Sequence, residues 1–275
     1  KGGMFGGSIA SNGSSVGVVD SKFINTHGQT GTDIYSTGTV TLLDNDYDGK
    51  TTYNSSDVVG NSIIDIVSGT FAEVQYRIDI TPVNGVLNLP NKKYTANEND
   101  TTLVVNKNIT INGNGAILDA DNLFRIMNIT DGITVTINNV TFLNGNSSTE
   151  GGAIRVFGEN GTVTILNSAF INTTAQYGGA IYNNGVGSVN VTNSSFTNTT
   201  AATGGAIYNV GSVTVNNSSF TNTKAAGNDG ASGGAIYNRD SGGSVTVANS
   251  SFTNTTAQYG GAIYNAGSVT VTNST

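Results

Sequence analysis

The sequence predicts an all-β chain, a right-handed parallel β-helix with three strands per coil and one short capping or irregular insert. Two observations carry that reading. A unit of roughly 26 residues recurs, and self-similarity at such a period marks a solenoid. Within the unit apolar and polar residues alternate, as in strands and unlike helices. The clearest copy, residues 178–198, reads Gly-Gly-Ala-Ile-Tyr-Asn, a glycine-rich turn, Ser-Val-Asn-Val-Thr-Asn, then Ser-Ser-Phe-Thr-Asn. The same opening stands at Gly151, Gly204, Gly233 and Gly260. Right-handedness follows from the crossover preference of parallel strands.

The columns of the repeat assign faces. Val189, Val191 and Asn193 precede Phe196 at two-residue steps, and Val163, Ile165 and Asn167 stand likewise before Phe170. Side chains two apart share a sheet face, so these columns are expected inward, Phe with them if a corner breaks the alternation. Ile154, Ile181, Ile207, Ile236 and Ile263 form a second inward column. Its neighbours Tyr182, Tyr208, Tyr237 and Tyr264 then point out, and their first counterpart is Arg155, a charge that is almost never buried unpaired. Asn193 and its counterparts, and the column Asn144, Asn172, Asn198, Asn222 and Asn254, are expected to form amide ladders from coil to coil, the Asn198 ladder facing inward.

In chain order, residues 1–57 read as the terminal coils of a preceding array. Ile9, Val16, Val18, Asp20 and Phe23 repeat the later columns, and Ile34, Val40, Leu42, Asp44 and Tyr47 repeat them again. Residues 58–85 read as a linker or cap. Thr70 and Glu73 have capping-box spacing, and Phe71, Val74 and Ile78 fall at helical intervals, so a short helix there would cover the next stack. Residues 86–275 form the second β-helix, with tandem repeats from about 142, interrupted by an insertion at 222–232 that is expected to protrude as a loop.

Composition narrows the function. Cysteine is absent, which removes disulfides and thiol chemistry, and one histidine, His27, stands alone. Charge is sparse and acidic, net −7, which argues against nucleic acid and anionic membranes as partners. No apolar run is long enough to span a bilayer, so no membrane contact is expected within this segment. The chain opens at Lys1 and ends inside a repeat, and reads as a piece of a longer protein.

The tandem Gly-Gly-Ala-Ile followed by Phe-x-Asn resembles the paired signature of the polymorphic outer-membrane-protein repeat of chlamydial autotransporter adhesins. The Asn/Thr/Ser-rich composition, with Asn108-Ile109-Thr110-Ile111-Asn112-Gly113, is similar to the adhesin-like surface proteins of methanogenic archaea. The likeness covers the chain well from about Phe142 and loosely before it. It implies an extracellular cell-surface segment, a stalk that adheres to glycans or surface proteins of other cells or to itself.

Several residues are candidates for binding or chemistry. The tyrosine column Tyr182, Tyr208, Tyr237 and Tyr264 could stack sugar rings, although a self-packed exterior ladder stabilising the sheet is the preferred reading. The insertion offers Asn222, Asn228 and Asp229, since loops on rigid scaffolds often carry binding. Asp44, Asp46 and Asp48, with Gly49, match the opening of a calcium loop, but Ser55 stands where the bidentate Glu belongs, and a worn coil accounts for the stretch without metal. No other cofactor is implied. Asn146, Asn160, Asn190 and Asn216 head Asn-x-Ser/Thr sequons and are candidates for glycosylation. A polysaccharide-active β-helical enzyme or carbohydrate-binding module is the alternative. Past Gly178 the only acids are Asp229 and Asp240, too sparse to set a catalytic pair on a common sheet face, which leaves Asp119 and Asp121 near Arg125, a stretch that a turn rich in Asp, Asn and Ala explains better. The expected protein is therefore not an enzyme.

Overall fold

The computed structural model describes residues 9–11, 14–23, 33–43, 45–47, 58–60, 62–158, 161–185, 187–227 and 230–275, with 46 and 47 described by backbone alone. The chain is a parallel β-solenoid with one helix among the described residues, divided into two compact units, Lys1–Ser68 and Gly69–Thr275.

In the first unit, Ile9–Ser11, Ile34–Ser36 and Val58–Val59 stack as one parallel sheet, and Val16–Val19, Thr39–Leu43 and Ser62–Asp65 as another. Ile9 lies on Ile34, Val16 on Val40 and Phe23 on Tyr47, the register that the apolar columns predict. Two strands fall inside the segment read as linker: Val58 continues the Ile34 column and Ile63 the Val40 column, and the division falls at Ser68 and Gly69 instead. Alternation persists there at only two or three positions, too few to mark a coil in the sequence.

The second unit begins with the helix Phe71–Ile80. Thr70 caps it, its hydroxyl accepting from the Glu73 N–H at 3.4 Å, while Glu73 reaches back to the N–H of Gly69 at 2.7 Å. Phe71, Val74 and Ile78 are buried against the first coil, as their spacing predicts. Glu73 is wholly buried, and its two oxygens meet Arg77 Nε at 2.9 Å and Lys92 Nζ at 2.8 Å. A lone carboxylate there would be expensive; paired on both oxygens it fastens the helix to the 90–95 turn and strand.

Each following coil contributes to a long 13-stranded sheet and a 7-stranded sheet. Three coils add a strand more than the three expected, Thr174–Tyr177, Thr200–Thr203 and Lys224–Ala225, which form a short sheet of their own. The flank of the 222–232 insertion is therefore sheet, not loop: Ala225 pairs with Ala201, and Ala231 and Ser232 are buried. Asn228 and Asp229 lie outside the described residues.

Val189, Val191, Phe196 and Ile181, with their counterparts in the neighbouring coils, fill the core. The phenylalanine rings from Phe142 to Phe252 stack at 4.6–4.9 Å with interplanar angles of 1–6°. That separation is the spacing of neighbouring strands, so the rings repeat at the backbone's own step.

The asparagine columns require a correction. Asn167, Asn193, Asn217 and Asn249 do not point inward with the valines, and neither does Asn198. All have φ near +50° and are exposed or partly so. A left-handed residue inserts one extra step at the corner, so inward parity slips by one. The side chains that enter are Ser168, Ser194, Ser218 and Ser250 after the first corner and Thr173, Thr199 and Thr223 after the second. The same slip brings Phe196 inward, five residues after Val191. Asparagine fills these corners because its short amide tolerates the left-handed region. The Gly-Gly pair has two separate causes: Gly178 has φ +63°, and a Cβ on Gly179 would collide with the carbonyl oxygen of Gly205 in the next coil.

Candidate functional site

The tyrosine column is the most ordered aromatic surface of the repeats. Tyr182, Tyr208, Tyr237 and Tyr264 are paired in register, with ring centroids 5.0–5.1 Å apart. They lie outside the apolar core, as alternation predicts, yet Tyr182 and Tyr208 retain only 6% and 7% exposure. Each ring covers the face of the next, and Tyr177 sets its edge on Tyr208 at 5.3 Å. Burial pushes Tyr208 up to about 12 and raises Tyr182 and Tyr237 as well. The rings' faces are thus occupied by other rings, and sugar stacking finds no open face on Tyr182 or Tyr208.

Charges frame this column. Arg155 lies in register with Tyr182, its Nε 2.8 Å from Glu150 Oε2 without hydrogen-bond alignment, and its guanidinium covers Phe157 at 4.5 Å. Arg239 sits beside Tyr208 and 3.5 Å from Asp240.

The Asn198 column forms a continuous hydrogen-bonded row, whereas in the Asn193 column one step is bonded and Asn167 and Asn249 donate instead to Asn138 and Asn216. Asn193 donates to Asn167 at 3.3 Å, Asn198 to Asn172 at 3.2 Å, Asn222 to Asn198 at 3.1 Å and Asn254 to Asn222 at 3.2 Å. Asn222 is accordingly a member of the ladder at the root of the insertion. A third ladder was missed. Asn183, Asn209 and Asn238 are fully buried and hand their amides on at 2.8, 2.8 and 2.7 Å, ending at Asn265. The signal was present, since each asparagine stands two residues after an inward isoleucine. At the ladder's start Asn183 Oδ1 has no partner among the described residues, because Val156 holds that position in the coil below.

Asp119, Asp121 and Arg125 do not converge. Asp119 is buried; Lys93 Nζ lies 2.7 Å away, and the Asp121 N–H and the Asn144 amide donate to it at 3.0 and 2.9 Å. Burial works to raise its pKa, but these partners together hold it below the ordinary value. Asp119 thus heads the Asn144 ladder. Arg125 turns instead to the carbonyls of Glu150 and Gly151 at 2.8 and 2.9 Å.

Of the calcium candidates, Asp44 and Asp48 lie outside the described residues, as does His27, and only the backbone of Asp46 is described. Among the described residues no group of three or more His, Cys, Asp or Glu side chains is placed to hold a metal ion. The sequons separate by geometry. Asn190 projects from the outer face of its strand, Asn216 accepts from Asn249 at 3.2 Å, and Asn146 donates to the Asn122 carbonyl at 3.1 Å. Asn160 lies outside the described residues. No helix among the described residues is long and apolar enough to cross a membrane.

Fold and faces together define a class, the repeat-built parallel β-solenoid whose inward and outward columns are coupled from coil to coil. No family model matches the chain, and neither the curated proteins nor the solved structures provide a match.

Proposed function

We propose that this chain is a rigid segment of an extracellular, adhesin-like surface protein, a stalk that displays binding surfaces to glycans or proteins of other cells and performs no catalysis. The observation that carries this reading is the conversion of nearly every repeat column into a ladder. Phenylalanines stack inside, tyrosines outside, and asparagines bond from coil to coil at the Asn198 corner and in the core. Such columns resist bending and lengthen with each added coil, which suits display at a distance. The adhesin-like repeat resemblance, in its chlamydial and archaeal forms, supports the same reading. The test is to immobilise the chain and expose it to pectins and a panel of cell-surface glycans, measuring retention and new reducing ends together. Retention without cleavage supports the proposal. Cleavage would move the protein to the polysaccharide-active β-helices, and neither retention nor cleavage would leave a plain spacer.

A further inference from the structure

The helix that closes the second unit also walls a concavity of about 270 Å3, lined on its far side by Asn99, Asp100 and Thr101. This site is separate from the repeat faces and does not rest on the adhesive reading. Phe71, 1% exposed, forms the floor and is fixed edge-on against Phe124 at 5.6 Å. Tyr76 and Asp79, three apart, lie on one helix face and line the wall. Asp100 faces them from the turn.

Both carboxylates are held in place before any ligand arrives. Gln75 grips the strand edge, its carbonyl accepting from the Val104 N–H at 2.7 Å and its amide donating to the Val104 carbonyl at 3.2 Å. The same amide donates to Asp79 Oδ1 at 2.8 Å. Asp100 accepts from the N–H groups of Ala72 and Asn97, one on each oxygen, both at 3.0 Å. Among the described residues no Lys, Arg or His lines the space; the nearby Lys107 ammonium is engaged with the Asp79 main-chain carbonyl at 2.8 Å. The half-buried Tyr76 hydroxyl and the exposed Thr101 hydroxyl at the rim make no hydrogen bond among the described residues.

We propose that this concavity binds a single sugar ring bearing an ammonium group. Two oriented carboxylates with no lining cation among the described residues favour positive charge, and the aromatic side chains of Phe71 and Tyr76 belong to the same lining. Hydroxyls at Tyr76 and Thr101 suit the neutral polar edge of a sugar. The volume falls short of the ~300–1,000 Å3 of ordinary small-molecule pockets, which fits one ring and no more. A divalent cation fits worse. Calcium takes about six to eight oxygens, whereas no third acidic or imidazole side chain joins Asp79 and Asp100 among the described residues.

The experiment titrates the full chain with glucosamine, glucose, N-acetylglucosamine and calcium chloride separately, following heat and amide chemical shifts. Glucosamine should bind, shifting resonances of the helix and the 97–101 turn, with glucose and N-acetylglucosamine at least about tenfold weaker, a factor worth ~1.4 kcal/mol. Asp79→Asn keeps the Gln75 contact, and Thr101→Trp fills the mouth from an exposed position; each should weaken glucosamine about tenfold or more with an unchanged thermal midpoint. Silence toward glucosamine, equal binding of glucose, indifference to both variants, or binding of calcium alone would each overturn the proposal.

Discussion

An asparagine at positive φ does two things at a corner of this solenoid. It turns the chain without glycine's conformational freedom, and it presents an amide to the coil below. The buried asparagines do only the second, but in a setting where a lost partner cannot be replaced by water. Removing Asn209 orphans the Asn238 carbonyl oxygen in the core, at roughly 1–3 kcal/mol, and leaves the Asn183 amide only its longer contacts to the Gly187 and Ser212 carbonyls at 3.3 and 3.4 Å. At the exposed corner Asn198→Ala chiefly strains the backbone, at about 1–2 kcal/mol, and Asn198→Gly should recover much of that. Denaturant titration should therefore rank Asn209→Ala below Asn198→Ala, with Asn198→Gly nearest the parent. An Asn209→Ala midpoint equal to that of Asn198→Ala would mean the buried ladder is no stronger than the exposed one. The inward columns of valine and isoleucine were legible because strand alternation is a rule of period two. The corners were not, because that rule has no term for a left-handed residue, and alternation alone puts Asn193 and Asn198 on the wrong face.

The tyrosine ladder shows how an element acquires a property that its residues lack singly. A phenol on a sheet's outer face ordinarily meets water, yet Tyr208 is covered by rings above, below and beside it. Its folded-state pKa rises to about 12 against an ordinary value near 10. The sign follows from linkage: the neutral form is favoured by folding, so the contribution is complete below pH ~10 and disappears as pH rises through ~12. Thermal midpoints should fall across that window, accompanied by a delayed phase in tyrosinate absorbance. In Tyr208→Phe the delayed phase should shrink and the fall become shallower; identical curves for the two proteins would show that the ring is not shielded. The outward side of this column was legible from Arg155 at its head, but its burial was not. Part of the coverage of Tyr208 comes from Tyr177 in the short sheet, a strand with little apolar signal in its sequence. The helix-side concavity was equally invisible, since Asp79 and Asp100 meet only after the Thr70 cap and the Gln75 strap have set the helix against the first coil.

At the scale of the whole molecule, stability belongs to arrays, and this chain contains two of unequal size. Among the described residues the first unit's core holds Val18, Phe23, Ile34, Val40, Leu42 and Val58, while the second runs without interruption from Phe71 to Val247. Coil stability is a sum of weak intrinsic terms and favourable neighbour terms, so a longer stack has more of the favourable kind. The second unit also has a closed end, where Glu73, Arg77 and Lys92 secure the helix over the first apolar rung. The separate cores predict separate melting. Calorimetry of the full chain should resolve two transitions, the lower from residues 1–68 and the upper from 69–275. A fragment of residues 69–275 should keep the upper transition and the strand-rich circular dichroism of its parent. Glu73→Ala removes one partner from a buried ion cluster, a loss of roughly 3–5 kcal/mol, and should lower the upper transition while leaving the lower one in place. A single transition in the full chain, or loss of both transitions in Glu73→Ala, would mean that the two cores fold as one and that the helix is an internal joint, not an end.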